Sequence, residues 1–518
     1  MQYGFVIDQH KCIGCHACTV ACKTEHDVPL GVNRTWVKYI EKGGWPDTKR
    51  FFSVMRCNHC SNAPCVGICP TSALFIRKDG IVDFDTSRCI GCKSCMQACP
   101  YDALYIDPQE HTAQKCNYCS HRVEIGLEPA CVVVCPEQAI VAGDLHDPTT
   151  KIAQLVKTEK TAQRSVEQGT RPNLYYMGAD ESSLDPTSTA AFQGGGIWRD
   201  DAGSFLAVDL SDDKGDHGPS VESSNGAPPR VVYNTDHPMP WGWRVSSYFL
   251  TKGIAAGLMM AALMAVLFGA NIDNAWLRWG VPFCGAGFLA ITGALLVWDL
   301  KRPERFYYLF TKGNWNSWLV KGAYVIGLNG ALLALWFLAG LLEADGLIRG
   351  LVWIGLPLAI GLAGYTAFLF GQAEARDLWQ SPLLLWHMVA GALAVGGGFS
   401  LIAALIFEVP DEAVTGFTWA MVIGSGLLGA FAAGELVSRH PTRNIAAAVH
   451  HMTKGAYRNE WWLGGIVVGV VIPLATGIAG LNDVGGPWVA ALGGLSACLG
   501  IWFADDAMVK AGQSVPLS

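Results

Sequence analysis

Cysteine spacing is the feature of this sequence that most directly specifies chemistry. Sixteen of the eighteen cysteines lie before residue 136. They form four groups of four, which are Cys12, Cys15, Cys18 and Cys22; Cys57, Cys60, Cys65 and Cys69; Cys89, Cys92, Cys95 and Cys99; and Cys116, Cys119, Cys131 and Cys135. In the third group, three thiolates on one tight loop can hold three irons of a cubane, and the fourth, followed by Pro100, ligates a different cluster. The spacing therefore predicts four [4Fe-4S] clusters.

Disulfides and zinc sites are the alternative interpretations of these cysteines. Disulfides belong to oxidising compartments, and nothing in the sequence places this segment in one. Zinc sites usually come from separated C-x2-C pairs, whereas the C-x2-C-x2-C-x3-C-P run from Cys89 to Pro100 is typical of bacterial ferredoxins. Cys284 and Cys498 stand alone in apolar segments, and we interpret them as packing residues.

The elements that must position the cysteines are short. Strand-like pieces alternate with the cysteine loops, at 3–8, 74–77, 81–84, 104–106 and 140–142. This internal repeat predicts an α+β domain over residues 1–178, made of two tandem ferredoxin-like halves in which the metal replaces much of the apolar core. A helix within 146–178 is expected to pack on this domain. Residues 179–236 are rich in Asp, Ser, Gly and Pro, which predicts a linker.

From about residue 244 the composition changes to that of a membrane protein. Eight apolar runs are long enough to span a bilayer, which takes about 20 residues each. They lie at approximately 246–270, 279–299, 318–342, 347–371, 383–407, 415–438, 461–481 and 487–505. Residues 237–518 are therefore predicted to form an all-α transmembrane bundle in the lipid bilayer. The net charge of -7 and the lack of a basic stripe predict no nucleic-acid partner.

The cysteine-rich domain resembles the iron–sulfur electron-transfer subunits of the DMSO reductase (molybdopterin oxidoreductase) superfamily. The resemblance covers about residues 1–178 and includes the divergent C-x2-C-x4-C-x3-C-P and C-x2-C-x11-C-x3-C-P groups, with Lys23 departing from the usual Pro. It implies these ligand sets: Cys12, Cys15, Cys18 with Cys135; Cys116, Cys119, Cys131 with Cys22; Cys57, Cys60, Cys65 with Cys99; and Cys89, Cys92, Cys95 with Cys69. Some relatives lack one third-group cysteine and hold a three-iron cluster. Cys92 is intact here, so four cubanes are expected.

The apolar half resembles the NrfD/polysulfide reductase family of membrane subunits. The resemblance rests on Pro-Trp-Gly-Trp before the first span, on Asp-Leu-Lys-Arg-Pro-Glu-Arg-Phe at 299–306, and on Asn-Trp-Asn-Ser-Trp-Leu-Val-Lys at 314–321. It implies a membrane subunit that binds a quinone, menaquinone or ubiquinone, and carries no haem. The two subunits are usually separate proteins, and here they are fused.

A quinone pocket needs groups that exchange protons near membrane depth, and ionisable residues there are functional candidates by default. Successive spans cross the membrane in opposite directions, which places the span ends that carry the candidates on one face of the membrane. The candidates are Tyr248, Asp299, Arg302, Glu304, Arg305 and His387. The alternative is that each is a helix-end charge, paired or extended toward water. Asp299 has additional support because it opens the family motif.

These observations predict a subunit that conducts electrons between a separate molybdopterin-containing catalytic subunit and the quinone pool. It would react with quinone without acting on the final substrate itself, and the same parts serve quinol oxidation and quinone reduction. A proton-translocating component of a respiratory complex of the alternative complex III type is the second interpretation. The N-terminus does not read as a secretory signal, and loop Lys and Arg residues predict an inner-membrane protein with its iron–sulfur domain in the cytoplasm.

Overall fold

The computed structural model describes residues 1–189, 229–236 and 238–518. An N-terminal region of small sheets and short helices holds the sixteen cysteines, and a C-terminal region is helical throughout. This confirms the predicted fold class. Most of the predicted linker lies outside the described residues. Its described edges include the helix Glu181–Leu184 and the strand Arg230–Tyr233.

Eleven strands form four sheets in the part of the cysteine-rich region that is described. The strands are β1 (Tyr3–Asp8), β2 (Thr35–Lys42), β3 (Lys49–Arg56), β4 (Leu74–Ile76), β5 (Val82–Phe84), β6 (Leu104–Ile106), β7 (Ala113–Lys115), β8 (Ile140–Asp144), β9 (Thr161–Ala162), β10 (Leu174–Met177) and β11 (Arg230–Tyr233). The sheet orders are β8-β1-β10-β9, β11-β2-β3, β4-β5 and β6-β7. The five predicted strands are present with bounds within two residues.

Short helices follow most of the cysteine loops. They are α1 (Ala17–Glu25), α2 (Pro64–Ile68), α3 (Ser94–Ala98), α4 (Ser120–Val123), α5 (Ala130–Val133), α6 (Lys151–Thr158) and α7 (Glu181–Leu184). Gly14 and Gly91 lie between the first two cysteines of their groups, with φ of 71° and 68°. Only glycine adopts this left-handed backbone without strain, so these two residues allow the loop to fold back sharply.

The C-terminal region is a bundle whose helices are α8 (Trp243–Leu267), α9 (Val281–Asp299), α10 (Tyr308–Thr311), α11 (Trp318–Leu341), α12 (Asp345–Gly371), α13 (Leu384–Ala403), α14 (Asp411–Val437), α15 (Arg443–Thr453), α16 (Ile472–Leu481) and α17 (Gly486–Ser514). Wide π-helical turns, Trp276–Gly280 and Glu460–Val471, lead into α9 and α16. Among the described residues eight helices are long and apolar enough to cross a membrane, as predicted. The last of these, α17, runs nine residues past the end expected from hydropathy.

Candidate electron-transfer and quinone site

Two cavities in the cysteine-rich domain are each lined by four cysteines. One is lined by Cys12, Cys15, Cys18 and Cys135. The other is lined by Cys69, Cys89, Cys92 and Cys95. In both cavities three cysteines come from one loop and the fourth from a distant group. These two groupings coincide with two of the ligand sets that the family resemblance implies.

The remaining cysteines interact electrostatically in the other two implied sets. Cys22 interacts most strongly with Cys116 and Cys131, and then with Cys119. Cys65 interacts with Cys99, Cys57 and Cys60. No three His, Cys, Asp or Glu side chains in the described part of the chain converge closely enough to hold one metal ion.

The chemistry of these sites fits iron–sulfur clusters. Burial, together with the neighbouring cysteine thiolates, raises the pKa of Cys22 to about 12. Such thiols are protonated at neutral pH unless a cation binds them, and a metal centre supplies that positive charge. Two buried polar atoms beside the cysteines, Thr19 Oγ1 and His59 Nε2, also lack a partner among the described residues. Hydrogen bonds to cluster sulfurs would satisfy such donors.

The loop of the third cysteine group lies directly on the membrane bundle. The backbone N–H groups of Lys301 and Arg302 donate to the carbonyls of Gly91 and Ile90, each at 3.2 Å. The Trp241 indole N–H donates to the Cys92 carbonyl at 3.3 Å. A Cβ on Gly91 would lie 2.6 Å from Lys301 Cβ, so the close approach requires glycine. The cavity of Cys69, Cys89, Cys92 and Cys95 is therefore the membrane-proximal one.

Arg302, Glu304 and Arg305 form part of this docking contact. Arg305 NH1 donates to the Thr86 and Cys89 carbonyls at 2.7 and 2.9 Å. Arg302 Nε donates to the Glu110 carbonyl at 2.9 Å. Glu304 is exposed and pairs with Arg302 at 3.3 Å. The two arginines hold the cysteine-rich domain in place, and Glu304 supports one of them from the water-exposed side.

Asp299 forms an ion pair across the same contact. Its Oδ2 lies 2.7 Å from Nζ of Lys93, which stands between two cysteines of the third group and is 6% exposed in its side chain. Burial lowers the pKa of Lys93, and the Asp299 carboxylate opposes that shift. The pair therefore joins the membrane-proximal cysteine loop to the end of α9.

An open pocket lies between the two regions at this ion pair. It encloses about 1760 Å³ including its mouth. Lys93 and Met96 of the cysteine loop line one wall, and Trp243, Arg244 and Asp299 line the other. The pocket combines apolar surface, an ion pair of titratable side chains and direct contact with a cysteine loop. These are the properties that a quinone headgroup site requires.

Both parts of the sequence match models of known protein families. The model of the NrfD family, described as polysulphide reductase, matches residues 231–504, which is more than half of the protein. The protein belongs to the NrfD family. Its N-terminal half matches two 4Fe-4S dicluster domain models, over residues 11–74 and 48–145. It is thus an NrfD membrane protein fused to 4Fe-4S ferredoxin domains.

Several curated relatives of the fused iron–sulfur region are named as reductase subunits. A tetrathionate reductase subunit of Salmonella typhimurium is 42% identical over 189 residues, covering 36% of this protein and 76% of its own length. A polysulfide reductase component of Wolinella succinogenes is 41% identical over 181 residues, covering 34% and 94%. The arsenate respiratory reductase iron–sulfur subunit of a Shewanella species is 36% identical over 227 residues, covering 34% and 96%.

Deeper in the NrfD domain, a second polar group surrounds His387. His387 Nε2 lies 3.7 Å from Asp505 Oδ1, and both residues line a narrow pocket with Lys252. Lys252 Nζ donates to the Ala363 carbonyl at 2.9 Å and to Thr366 Oγ1 at 2.5 Å. Tyr248 is buried one turn earlier on α8 and packs against Phe249. His387 is thus separated from Arg302, Glu304 and Arg305, with which the sequence grouped it. Tyr248 lies between the two polar groups, since it interacts electrostatically with both Asp299 and Asp505.

Asp505 and its neighbour Asp506 were not predicted from the sequence as functional residues. Both are buried within α17, where Asp506 Oδ1 accepts from Ser246 Oγ at 2.7 Å and Asp506 Oδ2 pairs with Lys510 at 2.5 Å. The hydropathy pattern predicts that the last span ends at this acidic pair. The helix continues because Ser246 on α8 and Lys510 one turn later satisfy Asp506. The sequence feature that could have indicated the longer helix is Lys510, which stands four residues after Asp506, the spacing at which a helix brings two side chains together.

Proposed function

We propose that this NrfD-family protein conducts electrons between a molybdopterin-containing catalytic subunit and the membrane quinone pool, and anchors that subunit at the bilayer. The observation that carries the proposal is the contact between the third cysteine loop and the quinone-pocket wall, centred on Lys93 and Asp299. The relatives named as reductase iron–sulfur subunits support the catalytic partner.

The sixteen cysteines would hold four [4Fe-4S] clusters in the ligand sets given above. When bound, the clusters supply one-electron carriers that connect the outer surface of the domain to the membrane bundle. The protein itself supplies the burial of most of the thiols and the docking motif at 299–306. The docking bonds of Arg302 and Arg305 fix the proximal cysteine loop against the bundle, which keeps the distance to the quinone pocket short.

The quinone headgroup would lie in the interdomain pocket, and menaquinone and ubiquinone share the carbonyl chemistry it needs. Quinol oxidation releases two electrons and two protons, so the pocket must accept protons as well as electrons. Asp299 can accept a proton, and Lys93 stabilises its carboxylate until then. Trp243, which lines the pocket and is half exposed, provides aromatic surface at the bundle end, where the isoprenoid tail would enter from the lipid.

Proton translocation of the alternative complex III type is the second candidate function, and one observation favours it. Asp505 and Asp506 are buried ionisable groups inside the bundle, and His387 beside Asp505 is half-buried. They lie on the side of the iron–sulfur domain, since Asp505 is nine residues before the end of the 29-residue helix α17. Groups at this depth also suit proton exchange with the quinone pocket, so electron transfer remains the better-supported function.

The proposal is tested by Asp299→Asn in the full-length protein reconstituted in nanodiscs. We expect quinol to reduce the clusters about a hundredfold more slowly, with unchanged iron content, because the amide cannot accept a proton. Stopped-flow bleaching of the cluster absorbance after mixing with quinol measures the rate. Glu304→Gln is the matched control, since Glu304 is acidic, five residues away and outside the pocket lining, and it should react at the wild-type rate. A wild-type rate in Asp299→Asn would show that Asp299 is only a docking residue.

A further inference from the structure

Arg56 is a buried cation among the candidate cluster ligands. It ends β3, precedes Cys57 and is 1% exposed. Its NH1 donates to Cys131 Sγ at 3.0 Å, and the guanidinium lies over the Phe5 ring at 4.5 Å. Its Nε and NH2 are buried and have no hydrogen-bond partner in the described part of the chain. Two donors of a permanently charged group therefore need acceptors.

The guanidinium lies between two of the implied ligand sets. It interacts electrostatically with Cys131 and Cys116 on one side and with Cys18 on the other. It also interacts electrostatically with Cys22. We call the clusters of these two sets the outer pair, held by Cys12, Cys15, Cys18 and Cys135 and by Cys116, Cys119, Cys131 and Cys22. Burial alone would lower the pKa of Arg56, and the surrounding thiolates raise it overall.

No carboxylate among the described residues lies within ion-pair distance of Arg56, and a buried unpaired cation is strongly destabilising. Only sulfur-based anions remain as its counter-charge. Lys115 provides a useful contrast, because it is equally buried but its ammonium donates to the carbonyls of Val82 and Cys116. Arg56 is therefore distinguished by donors left available to the cluster sulfurs.

We propose that Arg56 tunes the outer pair, raising the reduction potentials of both clusters by its fixed charge and by N–H···S hydrogen bonds. The inference rests on the proposed function, since it requires the four clusters. Each cluster gains one electron on reduction, and its negative charge increases by one with no bond formed or broken. A nearby cation and sulfur hydrogen bonds stabilise the more negative form, which raises the potential. Electrons arriving from quinol are thereby drawn away from the membrane, toward the end where a catalytic partner would dock.

The test is a potentiometric titration of the full-length protein, in which dithionite supplies electrons through redox mediators and electron paramagnetic resonance follows the clusters. In Arg56→Gln we expect two of the four midpoint potentials to fall, each by at least the 59 mV that corresponds to a tenfold change in a one-electron equilibrium. The other two should stay within error. Arg164→Gln is the matched control, because Arg164 is also a buried arginine of this domain but donates to the Leu184 and Leu517 carbonyls.

Iron analysis separates the two levels of the inference. A wild-type preparation without four clusters contradicts the proposed function itself. Four clusters with unchanged potentials in Arg56→Gln, or an equal shift of all four, overturns the role of Arg56 alone. If Arg56→Gln fails to assemble, Arg56→Lys keeps the charge but loses the forked donors. It should then lower the same two potentials by a smaller amount, and unchanged potentials in this variant also overturn the role.

Discussion

At the scale of the residue, each cysteine has a role that its position defines. Cys92 lies in the membrane-proximal cavity, and its carbonyl accepts from the Trp241 indole. Its thiol can be removed without disturbing that backbone contact. Cys284 and Cys498 lie in the bundle, away from both cysteine-lined cavities.

We expect wild-type protein, purified without oxygen, to contain about sixteen iron and sixteen sulfide per molecule. Cys92→Ser should reduce the iron to about fifteen if a three-iron cluster remains, or to about twelve if the cluster is lost. The protein should stay in the membrane fraction, because the bundle does not depend on the thiol. Iron and sulfide assays on the washed membrane protein measure both values.

The lone cysteines supply the matched controls for this prediction. Cys284→Ser and Cys498→Ser should retain the full iron content, since neither belongs to a group of four. Zinc at four per molecule without visible absorption would contradict the cluster assignment for the whole domain.

The cysteines were predictable from sequence because ligand spacing is local. The polar site was less predictable, because the sequence shows only that Asp299, Arg302 and Arg305 are near a span end. The structure separates Asp299, which lines the pocket, from the two arginines. The Arg302 side chain donates to the Glu110 carbonyl, and that of Arg305 donates to the Thr86 and Cys89 carbonyls. That difference depends on which carbonyls face the bundle, and this information is not local.

At the scale of the element, the bundle depends on close helix approaches at small residues. A Cβ on Gly257 of α8 would overlap the Ala392 carbonyl of α13, whereas a Cβ on Gly253 would meet Val395 at an ordinary 3.6 Å. Small residues at such crossings let two backbones approach closely in lipid, where packing stabilises helix pairs.

We therefore expect Gly257→Ala to destabilise the bundle by about 1–3 kcal/mol, because α8 and α13 must move apart. Gly253→Ala, one turn earlier on the same helix, should be near neutral. Thermal unfolding in one detergent, followed by tryptophan fluorescence, compares the two variants. Equal stability of both would show that the α8–α13 contact relaxes at no cost.

The spans and the short strands were predictable because apolar runs and Cys-Pro boundaries mark them directly. The hairpin of β2 and β3 and its partner β11 were not expected. The hairpin buries the polar and charged residues Lys38, Ser53 and Arg56. Its sequence therefore lacks the alternation of apolar buried and polar exposed residues that marks an ordinary strand pair. Pairing of β11 with β2 joins residues about 190 positions apart, and such contacts leave no local signal.

At the scale of the whole molecule, the cysteine-rich domain and the bundle share a continuous contact. Gln97 of the third cysteine group accepts from Arg376 at 2.9 Å and donates to Gln513 at 2.6 Å. The Arg164 guanidinium donates to the Leu517 carbonyl at 2.7 Å. The iron–sulfur domain is thus fixed to one end of the bundle, and its side of the membrane follows from the orientation of the spans.

Loop charges predict that orientation. On the side of the iron–sulfur domain lie Lys301, Arg302, Arg305, Lys312, Arg376, Arg439, Arg443, Lys454, Arg458 and Lys510, and on the other side lie Arg278 and Arg349. Short loops rich in Lys and Arg stay in the cytoplasm. The cytoplasm also keeps thiols reduced for cluster assembly, and a domain folded around clusters cannot be threaded across a membrane. We therefore expect the iron–sulfur domain, and with it the catalytic partner, to be cytoplasmic.

Reporter fusions test this orientation at two points on opposite faces. A fusion after Ser518 lies beside the iron–sulfur domain, where Asn234 donates to the Ser518 carbonyl. A fusion after Glu408, between α13 and α14, lies at the opposite end of the bundle. Alkaline phosphatase, active only after export, should be inactive at the first point and active at the second, and green fluorescent protein should show the reverse. The opposite pattern would place the iron–sulfur domain outside. With eight spans, Ser518 lies on the same side of the membrane as the iron–sulfur domain and Glu408 lies on the other side, so only these two orientations are possible.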